Sequence, residues 1–72
     1  MTYTKMFFLG DKVIINKYMV KNHIPPIDET DDDVHTILDF EWYEGEKYYI
    51  LDEYEENFFV ADELLLVERF DG

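Results

Sequence analysis

From Val34 to Trp42 the chain reads VHTILDFEW, nine residues in which the side chains alternate with a period of two. That period fits a strand and no helix. Val34, Thr36, Leu38, Phe40 and Trp42 fall on one face, and His35, Ile37, Asp39 and Glu41 on the other. The first set is expected to pack inward, which leaves His35 pointing outward. GDKVIINKYM, from Gly10 to Met19, places Val13, Ile15 and Met19 on one face; Ile14 breaks the alternation as in a strand partly covered on both faces. KYYILDEY is rich in strand formers. YEGEK, with Gly45 at its centre, suits a hairpin turn. DEYEEN ends in Asn57, which tolerates turn backbone, so FFV after it is expected as a short returning strand. ADEL suits a single helical turn, and LLLVERF a last strand.

VKNHIPPIDETDDD, from Val20 to Asp33, fits neither element. Pro25 and Pro26 hold the chain extended and forbid a helix or a central strand. Five acids crowd residues 28–33 with no basic neighbour in sequence. The stretch is expected to be a long solvated loop, mobile and dispensable for folding.

With 72 residues there is room for one domain, 1–72, and little core. Apolar residues make up 47% and aromatic ones 18%, which excludes a disordered chain and assigns most rings to the core and its edges. Cysteine is absent, which removes disulfides, thiolate metal sites and a cysteine nucleophile and points to a cytoplasmic home. MFFL is too short for a secretion signal, and no run reaches membrane-spanning length.

The order of these elements resembles small SH3-like proteins encoded by bacteria and their phages. LGDKVII, GEKYYILDE and FFVADELLLVE carry the resemblance. It implies an all-β fold: a small five-stranded SH3-like barrel with a long first loop and a short helical turn before the last strand. It implies a fold and little about function.

The residues themselves offer little chemistry. His23 and His35 lack a companion set of ligands, so no metal site and no cofactor is expected. The acidic loop lacks the glycine and the spacing of a helix–loop–helix calcium site. There is no serine, and the three glycines form no phosphate loop, so no catalytic residue is assigned.

Charge is the informative quantity. Residues 1–24 hold Lys5, Lys12, Lys17 and Lys21 against Asp11, while residues 25–72 hold seventeen acids against Lys47 and Arg69, for a total of −12. Such a surface repels phosphate, so direct binding to nucleic acid or to an anionic membrane is not expected, whereas a basic protein surface is attracted. Asp39 and Glu41 share a strand face, and Glu44, Glu46, Asp52, Glu53, Glu55 and Glu56 gather around the two hairpins that follow. Residues two apart on one strand face lie about 6.8 Å apart, near two phosphate steps of one DNA strand. The expected function is a small acidic protein-binding module that imitates a phosphate track, with Trp42 and Tyr43 as anchors. The alternative is an SH3-like adaptor binding an extended basic or proline-rich peptide in a groove of Tyr18, Trp42, Tyr43, Tyr49 and Tyr54.

Overall fold

A computed structural model describes residues 6–20 and 22–71. Lys5 and Lys21 of the sequence-level basic segment lie outside the described residues. Five strands run β1 Lys12–Ile15, β2 His35–Tyr43, β3 Glu46–Leu51, β4 Tyr54–Phe59 and β5 Leu64–Glu68, with a 3₁₀ turn at Ala61–Glu63 before the last. They form one antiparallel sheet in the order β4-β3-β2-β1-β5. The protein is therefore all-β, as the periodicities predict. The sheet is open: among the described residues no ladder joins β4 to β5 to close a barrel.

Two tight turns build the β2–β3–β4 meander. Glu44 and Gly45 both take positive φ, 50° and 82°, the backbone of a two-residue hairpin whose twist matches its strands. The next hairpin turns at Asp52–Glu53, where Glu53 has φ of 66°. This corrects the expectation of a turn at Asn57. Asn57 sits buried inside β4, and its side-chain amide donates to the Pro25 carbonyl at 2.6 Å. The proline loop is thereby fastened along the β4 edge. β1 is also shorter than the alternation predicts. At Asn16 the chain turns, with the amides of Met19 and Val20 donating to the Asn16 carbonyl, so Met19 stays exposed.

The core consists of Phe7, Val13, Ile15, Ile37, Tyr49, Leu51, Phe59 and Leu64, with Phe40 and Tyr54 packed against it. A single inner sheet face cannot bury thirteen rings, so Phe8, Tyr18, Trp42, Tyr43, Phe58 and Phe70 remain exposed. Tyr49 is tolerated in the core because its hydroxyl accepts the Phe7 amide at 3.1 Å. Asp11 is fully buried, its carboxylate accepting the amides of Phe8 and Phe70, each at 2.9 Å, with Arg69 beside it at 3.5 Å. One acid thus ties both ends of the described chain to the start of β1.

The inner face of β2 differs from the sequence expectation. His35 and Ile37 point into the core, while Val34 and Leu38 are exposed. A one-residue irregularity between Ile37 and Asp39 then shifts the alternation, so that Phe40 and Trp42 return to the inner side opposite Tyr49 and Lys47. Lys47 lies over the rings of Phe40 at 4.2 Å, Tyr49 at 5.2 Å and Trp42 at 5.7 Å.

Candidate interaction face

The outer face of the meander collects a different set. The register pairs Asp39 with Ile50, Glu41 with Tyr48 and Tyr43 with Glu46. On β4, Glu56 and Phe58 alternate with the buried Asn57 and Phe59 and share this outer side. The Tyr48 and Phe58 rings meet edge to face with centroids 6.2 Å apart. Glu41, Tyr43, Tyr48 and Phe58 surround a shallow depression. Acids and half-exposed rings thus share one sheet face.

Of the residues picked from the sequence, Asp39, Glu41, Tyr43, Glu46 and Glu56 assemble here. Trp42 lies on the opposite face, under Lys47. Glu44 is at the tip of the first hairpin. Asp52 and Glu53 form the second hairpin, at the other end of β3, about 20 Å away for six residues of strand. Glu55 is exposed on β4. The two hairpins therefore do not present one cluster of acids. The four tyrosines and one tryptophan of the adaptor groove do not share a surface either: Tyr49 is core, and Tyr54 is half-buried with its hydroxyl on Asp31. Sequence reasoning missed Tyr48 and Phe58. The signal for them was the doublets Tyr48–Tyr49 and Phe58–Phe59, since in a strand one ring of each pair must face away from the core.

Several acids are held by internal bonds instead. His35, 1% exposed, points Nε2 at Asp31 Oδ2 at 2.9 Å and Nδ1 at Asp52 Oδ1 at 3.0 Å. Between two ionised carboxylates each ring nitrogen has to donate, so this geometry stabilises the imidazolium form. Burial pulls the His35 pKa down, but Asp31 and then Asp52 outweigh it and hold the pKa above the usual histidine range. Burial pushes the Asp31 carboxyl up, but hydrogen bonds from the Tyr54 hydroxyl, the Asp33 amide and His35 hold it below the usual carboxylate range. Burial, with the bond to Asp31, pushes the Tyr54 hydroxyl up to about 12. The acidic loop is thus packed onto the sheet through Asp31, and it is neither wholly solvated nor without a basic partner. Lys17 pairs with Asp32 as well, and Thr30 holds the Asp28 carboxyl below its usual range.

His23 makes a second buried link. Asn57 Nδ2 faces its Nδ1 at 3.3 Å, so Nε2–H is left to donate to Glu63 Oε2 at 3.0 Å. Glu63 Oε1 in turn accepts the Val60 amide, which fixes the 3₁₀ turn. Among the described residues no three His, Asp or Glu side chains converge so as to hold a metal ion, and no helix is long and apolar enough to cross a membrane.

The described cations are engaged away from the outer face. Lys12 donates to Thr36 Oγ1 at 2.6 Å, Lys17 pairs with Asp32, Arg69 lies by Asp11, and Lys47 covers inner-face rings. Among the described residues none forms an ion pair with Asp39, Glu41, Glu46 or Glu56. Comparison with known proteins finds no family model, no curated protein and no solved structure that this chain matches.

Proposed function

We propose that the protein is a small acidic binding module whose outer β2–β3–β4 face covers a basic, nucleic-acid-binding surface of another protein, in the manner of an inhibitor encoded by a phage or mobile element. The observation that carries this reading is the sorting of charge: among the described residues the outer-face acids form no ion pair, while the lysines and the arginine make their contacts elsewhere. Acids left in this state give long-range attraction and a fast association rate. Tyr43, 65% exposed, and Phe58, 48% exposed, supply apolar area for contact on that face. In this reading the strand order β4-β3-β2-β1-β5 and the 3₁₀ turn before β5 belong to an open variant of the SH3-like barrel, and the protein acts by occupancy without chemistry of its own.

The test is capture from lysate at about 0.05 M salt, followed by elution with about 0.5 M salt or with duplex DNA. A partner that uses the captured surface to bind nucleic acid is released by both. Reversal of Glu41, Glu46 and Glu56 to lysine, in a variant shown to be folded, is expected to lower the association rate steeply at low salt and much less at high salt. A partner indifferent to DNA and to the three reversals would exclude this function.

A further inference from the structure

Beside the first depression lies a second, bounded by Met19, Ile24, Val60 and Asp62 and by the same two rings, Tyr48 and Phe58. The edge-to-face pair is therefore a ridge between two hollows, one rimmed by Glu41 and the other by Asp62. Among the described residues, neither hollow is lined by a lysine or an arginine. The first holds about 260 Å³, below the roughly 300–1,000 Å³ of small-molecule sites, and it is open to solvent. It suits one large side chain rather than a whole ligand. Tyr43 in the first hollow and Ile24, 91% exposed, in the second place apolar area on either side of the ridge, and all three of Tyr43, Phe58 and Ile24 are exposed among the described residues.

We propose that these two hollows form one groove for a basic segment of a partner protein, with a bulky apolar side chain seated on each side of the Tyr48–Phe58 ridge and Lys or Arg side chains against Glu41 and Asp62. This rests on the acidic-face reading and narrows it from charge matching to a two-anchor contact. Charge selects the occupant. A second copy of the chain would bring −12 against −12, and phosphate or anionic lipid would meet Glu41 and Asp62 directly. An uncharged apolar segment would leave both acids facing dry surface. A segment carrying cations beside apolar side chains satisfies both requirements.

The experiment uses the isotope-labelled protein and two synthetic lysine-rich peptides of equal charge. One carries two tryptophans separated by a lysine; the other has alanine in their place. The tryptophan peptide is expected to bind at least about tenfold tighter, a difference of about 1.4 kcal/mol, and to shift the resonances of Tyr43, Tyr48, Phe58 and Ile24. Phe58→Ala, checked for folding by thermal melting, should remove that tenfold advantage and leave the alanine peptide unaffected. Glu41→Lys/Asp62→Lys should weaken both peptides. Equal binding of the two peptides, or shifts centred on β5 or the acidic loop, overturns the groove while leaving the acidic-face reading in place. No binding of either peptide at low salt overturns both.

Discussion

Replacing His35 by Phe keeps a ring of similar shape and removes the charge that holds two carboxylates. The cost falls mainly on Asp31, whose side chain is 7% exposed, because Asp52 at 40% can turn to water. Removing one partner of a buried ion pair costs about 3–5 kcal/mol, and the exposure of Asp52 argues for the lower end. A domain of this size has about 4–11 kcal/mol in total at the usual 0.05–0.15 kcal/mol per residue. The variant should therefore lose roughly a quarter or more of its stability. At about 4–8 °C per kcal/mol, its Tm should fall by at least about 12 °C.

The same network fixes a pH window. The folded-state pKa of His35 is raised, so its contribution is complete below the ordinary value of 6.5 and disappears as pH rises through the folded value. Asp31 is lowered, so its contribution is present above the ordinary 3.8 and is lost as pH falls through the folded value. Tyr54, pushed up to about 12, keeps its proton throughout. Wild-type Tm at constant ionic strength should thus be highest between about pH 4.5 and 6.5 and should decline above it, whereas the decline should be much smaller in His35→Phe. Circular-dichroism melts from about pH 5 to 9, with ring ¹⁵N shifts to follow the proton, measure both. A His35 ring that titrates below the ordinary histidine value, or wild-type and variant curves of the same shape, would refute this role of His35 between Asp31 and Asp52.

Exchanging residues 28–33 for a neutral flexible hexapeptide should lower the Tm, and restoring the acid at position 31 alone should recover most of the loss, because His35 and Tyr54 both bond there. Gly10→Ala should destabilise by about 1–3 kcal/mol in urea unfolding, since Gly10 has φ of 89° and a Cβ would sit 2.7 Å from the Phe70 ring; adding Phe70→Ala should relieve the steric part only. Raising salt from about 0.01 to 0.5 M should raise the Tm as repulsion among the outer-face acids is screened; a flat or falling curve would show those acids already neutralised.

Much of the fold is legible because its devices are local. Gly45 announces the first hairpin, and ADEL the turn before β5. Three misreadings come from features that strand alternation does not show. His35 reads as an outward polar residue until residues 28–33 fold back and supply Asp31. Asn57 reads as a turn former until Pro25 offers a carbonyl to its amide. The alternation of VHTILDFEW places Phe40 and Trp42 correctly, but the irregularity after Ile37 exchanges the faces of everything before it. For the candidate surface the consequence was larger. Counting acids along the chain joined two hairpins that β3 holds apart, and it gave Trp42 to a face it does not share with Tyr43.

The acids of this chain divide by what they do. Asp11, Asp31, Asp52 and Glu63 accept backbone amides or face histidine, and loss of any one would leave a donor without its partner. Glu41, Glu46, Glu56 and Asp39, the last accepting the Phe40 amide at 2.8 Å, form no ion pair among the described residues, and they share the face where two rings are half exposed. Solubility asks for a net charge of magnitude about 2–8 with both signs interspersed, and it gives no reason to place rings among like charges. Phe58 beside Tyr48 adds exposed apolar area among those acids, area that a covering surface would take out of water. Repulsion among the acids and exposure of the rings are both relieved by the same event, the arrival of a cationic and partly apolar surface. That coincidence favours a binding face over a solubilising one, and it is the reason the groove across Tyr48 and Phe58 is the place to test first.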